Sequence, residues 1–282
     1  MKKKTLYVTD LDGTLLNTKD QISEYSLNVI NSLVDRGMLF TYATARSLVS
    51  ASVVTKGLSA NIPVIAYNGA LIIQPGTGEV LSSLDFSKEE REAVIAVLKE
   101  NGIFPLVYSY VEGKERVSWM RARENEGIQR YLSKRQGDRR LRPLEAEEEL
   151  YAGEIFYFTC IGEKEELLPV FERFCADERY TCTLQQELYR PEYWCEIMPK
   201  KATKANAILR LKQLWGCDRV VSFGDAVNDI PMFQISDESY AVENAVPKLK
   251  ALASGVINSN DRDGVARWLL ENCRQARGQA GL

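Results

Sequence analysis

An apolar, β-prone run, Leu6-Tyr7-Val8, breaks into Thr9-Asp10-Leu11-Asp12-Gly13-Thr14, and no other stretch of the chain limits its fold as tightly. Residues of this kind favour a strand, and Gly13 permits a sharp turn that a side chain would resist. While the strand lasts, carboxylates at positions i and i+2 project to the same side. At neutral pH they repel each other unless a cation or a shared proton stands between them. Taken alone, the pair is either a capped turn or a chemical site at the end of a buried strand.

The chain then repeats this layout. Ser23 is placed to cap a helix whose apolar residues Leu27, Ile30, Leu33 and Val34 recur at helical spacing, and Gly37 stops it. A second apolar run, Met38 to Ala43, ends in Thr44-Ala45-Arg46-Ser47 and opens another helical stretch. Successive strand-loop-helix units argue for a parallel sheet with crossover helices. In such sheets ligands bind at the carboxyl ends of the strands, where Asp10, Asp12, Thr44 and Arg46 would gather. A third strand, Pro63 to Ala66, leads through Asn68-Gly69 to a hairpin, Leu71 to Ile73 and Val80 to Leu84. The Gly76-Thr77-Gly78 between its strands lacks the third glycine and following helix of a dinucleotide loop.

Between about Leu84 and Pro191 the pattern changes. Helical periodicity over Arg91 to Leu98 gives way to strand-like Phe104 to Tyr110 and Arg116 to Met120. A helix near Glu124 to Leu132, a strand near Ile155 to Ile161, a helix over Lys164 to Phe174 and a strand near Thr181 to Gln186 follow. This α+β region reads as a small domain inserted into the parallel-sheet one, giving core residues 1–83, an insert at 84–191 and core again at 192–282. Basic Arg135 to Arg142 and acidic Glu145 to Glu149 read as a solvated loop and a helix end. The parallel pattern resumes with a helix from Lys204 to Leu214, a strand Arg219 to Phe223, and the loop Gly224-Asp225-Ala226-Val227-Asn228-Asp229. A strand near Tyr240 to Val242, a segment at Val256-Ile257 and a helix from Asp263 to about Asn272 finish it, leaving Gln275 to Leu282 to fray.

Composition closes several alternatives. The 36 basic and 39 acidic residues leave a net charge of −3, without the electrostatic footprint of a nucleic-acid or anionic-membrane binder. No apolar run is long enough to span a membrane. Met1-Lys2-Lys3-Lys4 resembles the basic start of a signal peptide, but Asp10 follows before any adequate hydrophobic region. A cytoplasmic protein is expected, and the six cysteines, without a Cys-x-x-Cys pair, read as reduced thiols. The chain has no histidine, which removes Ser-His-Asp, Cys-His and His-ligated zinc chemistry.

Polar loops thus stand at the strand ends or helix starts of Asp10-x-Asp12, Thr44 with Arg46, Lys204, and Asp225 with Asn228 and Asp229. Hard oxygen ligands without histidine or paired cysteine suit Mg²⁺. A hydroxyl, helix-start N–H groups and a lysine suit a phosphate. Together they describe phosphoryl transfer to a carboxylate or to water. Singly, Thr44 could be a helix cap, Lys204 a surface lysine, and Asp225 to Asp229 a capped turn.

In order and wording these pieces resemble the haloacid dehalogenase superfamily of phosphatases. Asp10-Leu11-Asp12-Gly13-Thr14 matches its first motif, Thr44 the second, Lys204 the third, and Gly224-Asp225 with Asn228-Asp229 the fourth. The insert, Asn68-Gly69, Asn244-Ala245 and Asp263-Gly264-Val265-Ala266 resemble the Cof-type branch, subclass IIB, with a large α/β cap. The resemblance implies a Rossmann-like α/β core with a substrate-selecting cap. It implies Asp10 as a nucleophile that forms an aspartyl-phosphate and Asp12 as acid and then base. Mg²⁺ would be held by Asp10, the backbone carbonyl of Asp12, and Asp225, with Asn228 and Asp229 in support. Thr44, Ala45, Arg46, Lys204 and Asn228 would hold the substrate phosphate. Ala45, Val227 and Glu243 stand where the branch usually has glycine, Glu or Gln, and Met. The expected activity is a Mg²⁺-dependent phosphatase acting on sugar phosphates or a related compound such as a flavin or cofactor precursor. A phosphomutase, or a non-catalytic receiver-like sensor of a phosphometabolite, is the alternative.

Overall fold

The computed structural model describes residues 3–186 and 191–278. The chain forms two compact units, one from the residues up to Ser83 and from Thr203 onward, the other from Leu84–Ala202.

The first unit opens with β1 (Thr5–Asp10), α1 (Glu24–Asp35), β2 (Leu39–Ala43), α2 (Leu48–Val54), β3 (Val64–Ala66), and the hairpin β4 (Leu71–Gln74) and β5 (Glu79–Ser83). Ser23 caps α1 by accepting from Ser26 N–H, and the helix buries Ser26, Ile30 and Leu33, the stripe its spacing sets.

The second unit holds α3 (Lys88–Glu100), β6 (Leu106–Val111), β7 (Lys114–Met120), α4 (Glu126–Ser133), β8 (Leu141–Leu144), β9 (Glu154–Gly162), α5 (Lys164–Cys175), β10 (Tyr180–Gln186) and β11 (Tyr193–Pro199). Its sheet runs β10-β11-β9-β6-β7-β8, antiparallel except for the β7/β8 pair. Two elements differ from expectation. The segment after Pro191, assigned to the core, supplies β11, which pairs with both β9 and β10 and so belongs to this unit. The basic stretch Arg135 to Arg142 ends in β8, an edge strand whose Pro143 hides it from strand patterning and is tolerated only at an edge.

The chain returns to the first unit through α6 (Lys204–Leu214), β12 (Arg219–Gly224), α7 (Ile230–Gln234), β13 (Glu238–Val242), α8 (Pro247–Lys250), β14 (Gly255–Ile257) and α9 (Gly264–Gly278). The helix α9 continues past Asn272 into good helix formers instead of fraying there; residues from 279 lie outside the described ones. The Asp263-Gly264 pair has a mechanical role. Asp263, in the left-handed region at φ +57°, accepts from Ser23 and Ser26 and ties the start of α1 to the start of α9. A Cβ on Gly264 would collide with the Asn258 carbonyl.

The first unit's sheet runs β14-β13-β12-β1-β2-β3-β4-β5, parallel from β14 to β3. Leu6, Val8, Phe40, Val220 and Phe223 are buried in its central strands, as parallel sheets covered on both faces require. From β1 the chain winds outward one way to β3, and from β12 the other way to β14, so the strand order reverses between β1 and β12. Register sets Asp10 beside Ala43 of β2 and Thr9 beside Phe223 of β12. The carboxyl ends of these strands therefore open one crevice at the switch point, where α/β sheets hold ligands.

Candidate active site

Asp10 ends β1 almost completely buried, 5% exposed. The chain then turns through Gly13 at φ +77°, and Leu16 N–H closes the loop onto Leu11 O at 2.8 Å. A Cβ at Gly13 would run into the Asp225 carboxylate, so glycine serves both the turn and the close approach. Thr14 Oγ1 donates to Asp225 Oδ1 at 2.9 Å, which joins the β1 loop to the β12 loop. Asn244 Nδ2 donates to Gly13 O at 2.7 Å, and Asn260 Nδ2 to Leu16 O at 2.9 Å. Sequence spacing does not reveal these tasks of Thr14, Asn244 and Asn260, because their bonds are to distant backbone and to a distant loop.

Lys204 begins α6, which Thr203 caps by accepting from Asn206 N–H. Gly69, at φ +106°, lies so close to the Thr203 carbonyl that a side chain could not fit, which accounts for Asn68-Gly69. Lys204 is only 4% exposed, and Nζ donates to Asp10 Oδ1 and, at 2.9 Å, to Asp229 Oδ1. The other Asp229 oxygen accepts from the N–H groups of Asp225 and Ala226 at 3.0 and 3.2 Å. Asp229 thus anchors the lysine to the β12 loop. Burial pushes the Asp10 carboxyl up to about 7; Lys204 draws it back only in part, because Asp229 and Asp225 repel its charge. Burial alone would lower Lys204, but Asp10 and Asp229 hold it well above the ordinary lysine value. Asp225 is likewise raised, first by burial, with Thr14 opposing and Asp229 adding to the rise.

Ser47, not Thr44, caps α2, accepting from Ser50 N–H. Thr44 is instead buried at the end of β2 and held by its backbone. Its N–H donates to Ile65 O at 2.9 Å, its carbonyl accepts from Asn68 N–H at 2.9 Å, and its Oγ1 accepts from Arg46 N–H at 3.0 Å. The hydroxyl proton is left to point elsewhere. Arg46, expected on the phosphate, sends its guanidinium to Asp12: Nε lies 3.1 and 3.0 Å from the two carboxylate oxygens, and Nη2 also donates to Oδ1. Asp12 is half exposed, unlike Asp10. Ala45 is exposed on the loop after β2, and Asn228 on the loop after β12.

One oxygen each from Asp10, Asp225 and Asp229 lie within 4.8 Å of one another. Clustered hard anionic oxygens with partial burial fit Mg²⁺ and offer nothing to a soft metal. Among the described residues no helix is long and apolar enough to cross a membrane.

A family model described as haloacid dehalogenase-like hydrolase matches residues 7–269. The chain belongs to that family. It is 26% identical to the 5-amino-6-(5-phospho-D-ribitylamino)uracil phosphatase YwtE of Bacillus subtilis, covering 92% of this chain and 95% of that one. With YitU of the same organism, named for the same activity, it shares 27% identity over 95% and 97% of the two chains. Among solved structures, TM0651 from Thermotoga maritima aligns with a TM-score of 0.72 at 28% identity, covering 96% and 97%. A haloacid dehalogenase-like hydrolase from Bacteroides thetaiotaomicron shares the fold at a TM-score of 0.70 and 22% identity, over 96% and 100%. The α/β parallel-sheet core and the enzyme class, a phosphatase of this family, agree with these neighbours.

Proposed function

We propose that this phosphatase uses Mg²⁺ to hydrolyse small phosphorylated metabolites in the cytoplasm through an aspartyl-phosphate, an acyl phosphate, on Asp10. The observation that carries the reading is the buried Asp10 carboxylate at the switch point, bonded to Lys204 and faced by Asp225 and Asp229. Free cysteines among the described residues suit a reducing compartment.

A phosphate monoester dianion and a carboxylate nucleophile repel each other, so the site must offset anionic charge before it can bring them together. Lys204 contributes one positive charge. Mg²⁺, held by Asp10 and Asp225 with the Asp12 carbonyl, would supply the rest by shielding both anions. Thr44, with a hydroxyl proton to give, and neighbouring backbone N–H groups hold the phosphoryl oxygens. Asp229 keeps the β12 loop in place through the Asp225 and Ala226 N–H groups, and Asn228, exposed on that loop, would support the metal and the phosphate. An Asp10 oxygen attacks phosphorus as the ester oxygen departs, and Asp12, on the exposed side, gives that oxygen its proton. Water then attacks the phosphorus of the aspartyl-phosphate as Asp12 takes a proton from it, the bond from phosphorus to the Asp10 oxygen breaks, and inorganic phosphate and the Asp10 carboxylate are released. The second unit, as a cap, would choose the leaving group. The two Bacillus relatives are named for a phosphate on a ribityl chain, and a polyol or sugar phosphate, including a flavin precursor, is the proposed substrate class.

The test is a panel of phosphorylated metabolites, including that ribityl phosphate, followed by released phosphate with Mg²⁺ or with excess chelator. Rapid quench with a labelled substrate should trap acid-stable, hydroxylamine-labile phosphate that Asp10→Asn cannot form. Asp12→Asn should slow the first step on alkyl esters by about 10²- to 10⁴-fold and accumulate phosphoenzyme from an activated aryl ester. Full turnover in chelator, or isomer interconversion without phosphate release, would remove the proposal.

A further inference from the structure

The Arg46 side chain crosses from the loop after β2 to the loop after β1 and meets both oxygens of Asp12 through Nε, with Nη2 on Oδ1 as well. Nη2 also lies 3.6 Å from Asp20 Oδ1. The backbone of Arg46 is fixed at both ends, its N–H donating to Thr44 Oγ1 at 3.0 Å and its carbonyl accepting from Tyr67 N–H at 3.1 Å. A guanidinium carried on a backbone held at both ends therefore meets both oxygens of a half-exposed carboxylate and sets its plane. We propose that Arg46 is a positioning residue for Asp12, acting on proton transfer to the leaving group and not as a ligand of the phosphate. This rests on the mechanism proposed above, in which Asp12 serves the leaving group.

Three physical points support the assignment. A solvent-exposed ion pair contributes little to stability, so folding alone gives weak reason for this contact. The three contacts occupy about three of the roughly four sites at which an ionised carboxylate accepts, and the one left over is free for a proton. The geometry needs a fork: a lysine ammonium is a point charge that cannot hold both oxygens in one plane. Asp20 on the far side, itself at φ +55°, adds a second anchor for the same guanidinium.

Arg46→Ala and Arg46→Lys would be measured beside the parent enzyme. On an alkyl phosphate the first-step rate should fall by about 10- to 100-fold in Arg46→Ala, with Arg46→Lys restoring only part of it. Single-turnover release of an acidic phenol from an aryl phosphate, which needs no proton donor, should stay within about twofold. Competitive inhibition by inorganic phosphate should be unchanged. Adding Arg46→Ala to Asp12→Asn should cause no further loss, because the residue it positions is gone. Equal losses on alkyl and aryl esters with weaker phosphate inhibition would overturn the proposal and return Arg46 to the phosphate. A parent enzyme that forms no phosphoenzyme would overturn the mechanism and this role together. A parent that forms it while the variants lose alkyl and aryl turnover alike would overturn only the role of Arg46. Thermal melting of both variants near the parent midpoint shows that the rates report the site and not the fold.

Discussion

Lys204 joins Asp10 at the end of β1 to Asp229 in the loop after β12, and all three are buried. Removing the ammonium leaves two inward-facing carboxylates with Asp225 nearby and no cation. Breaking a buried pair this way typically costs about 3 to 5 kcal/mol. Lys204→Met should melt well below the parent in chelator and lose at least about 10²-fold in turnover. A divalent cation can occupy the same field, so Mg²⁺ should raise the melting point of the variant more than that of the parent. Equal Mg²⁺ shifts in thermal scans would show that the ion does not enter this cluster.

Gly13→Ala tests the loop's packing. The new methyl group would meet the Asp225 carboxylate while its residue was held at φ +77°, a conformation that costs a residue with a side chain on the order of 1 kcal/mol or more. Such a cost is small against the stability of a domain. The protein should therefore remain folded by circular dichroism but lose most of its activity, because Asp225 is displaced. Activity close to the parent would mean that the loop can move aside and that Asp225 tolerates it.

Glu196 gives a pH prediction away from the site. Burial raises its carboxyl above the ordinary value of 4.5 despite hydrogen bonds from Tyr157 and Thr183. The folded chain then binds its proton more tightly than the unfolded chain, so stability falls as pH rises from about 4.5 through the folded value. Glu196→Gln removes the charge and keeps the shape. It should raise the melting point at pH 7 to 8 and make little difference near pH 4; a uniform shift across pH would assign the effect to packing.

The parallel core was readable because each strand end couples an apolar run to a polar loop, and β1, β2 and β12 all carry that junction. Lys204 was found by its place at a helix start, but its bridge between Asp10 and Asp229 depends on strands far apart in sequence. Thr44 was ambiguous as a helix cap until Ser47 filled that role. The destination of Arg46 was hidden for a different reason: a long side chain reaches several loops, and sequence spacing does not say which. The strand β8 is hard to read because Pro143 and the half-exposed Leu141 and Arg142 break its alternation. The strand β11 was missed because Pro191 resembles a boundary.

The place of β11 inside the second unit carries a sharp prediction about that unit. Its core draws Val94 and Leu98 from α3, Val170 and Phe174 from α5, and Phe158 and Ile197 from the sheet, all within Leu84–Ala202. A segment with its own core should fold alone, so residues 84–202 expressed by themselves should give a cooperative melt. The boundary at 191 makes the opposite forecast for a shorter piece. β11 lies between β10 and β9, and without it β10 loses the strand it pairs with at the sheet edge, while Cys195 and Ile197 vanish from the core. Residues 84–191 should therefore remain largely unfolded or aggregate through the exposed edge of β9. Melting curves that are cooperative and alike for both fragments would show that β11 is dispensable, and failure of the longer one would show that this unit needs the rest of the chain.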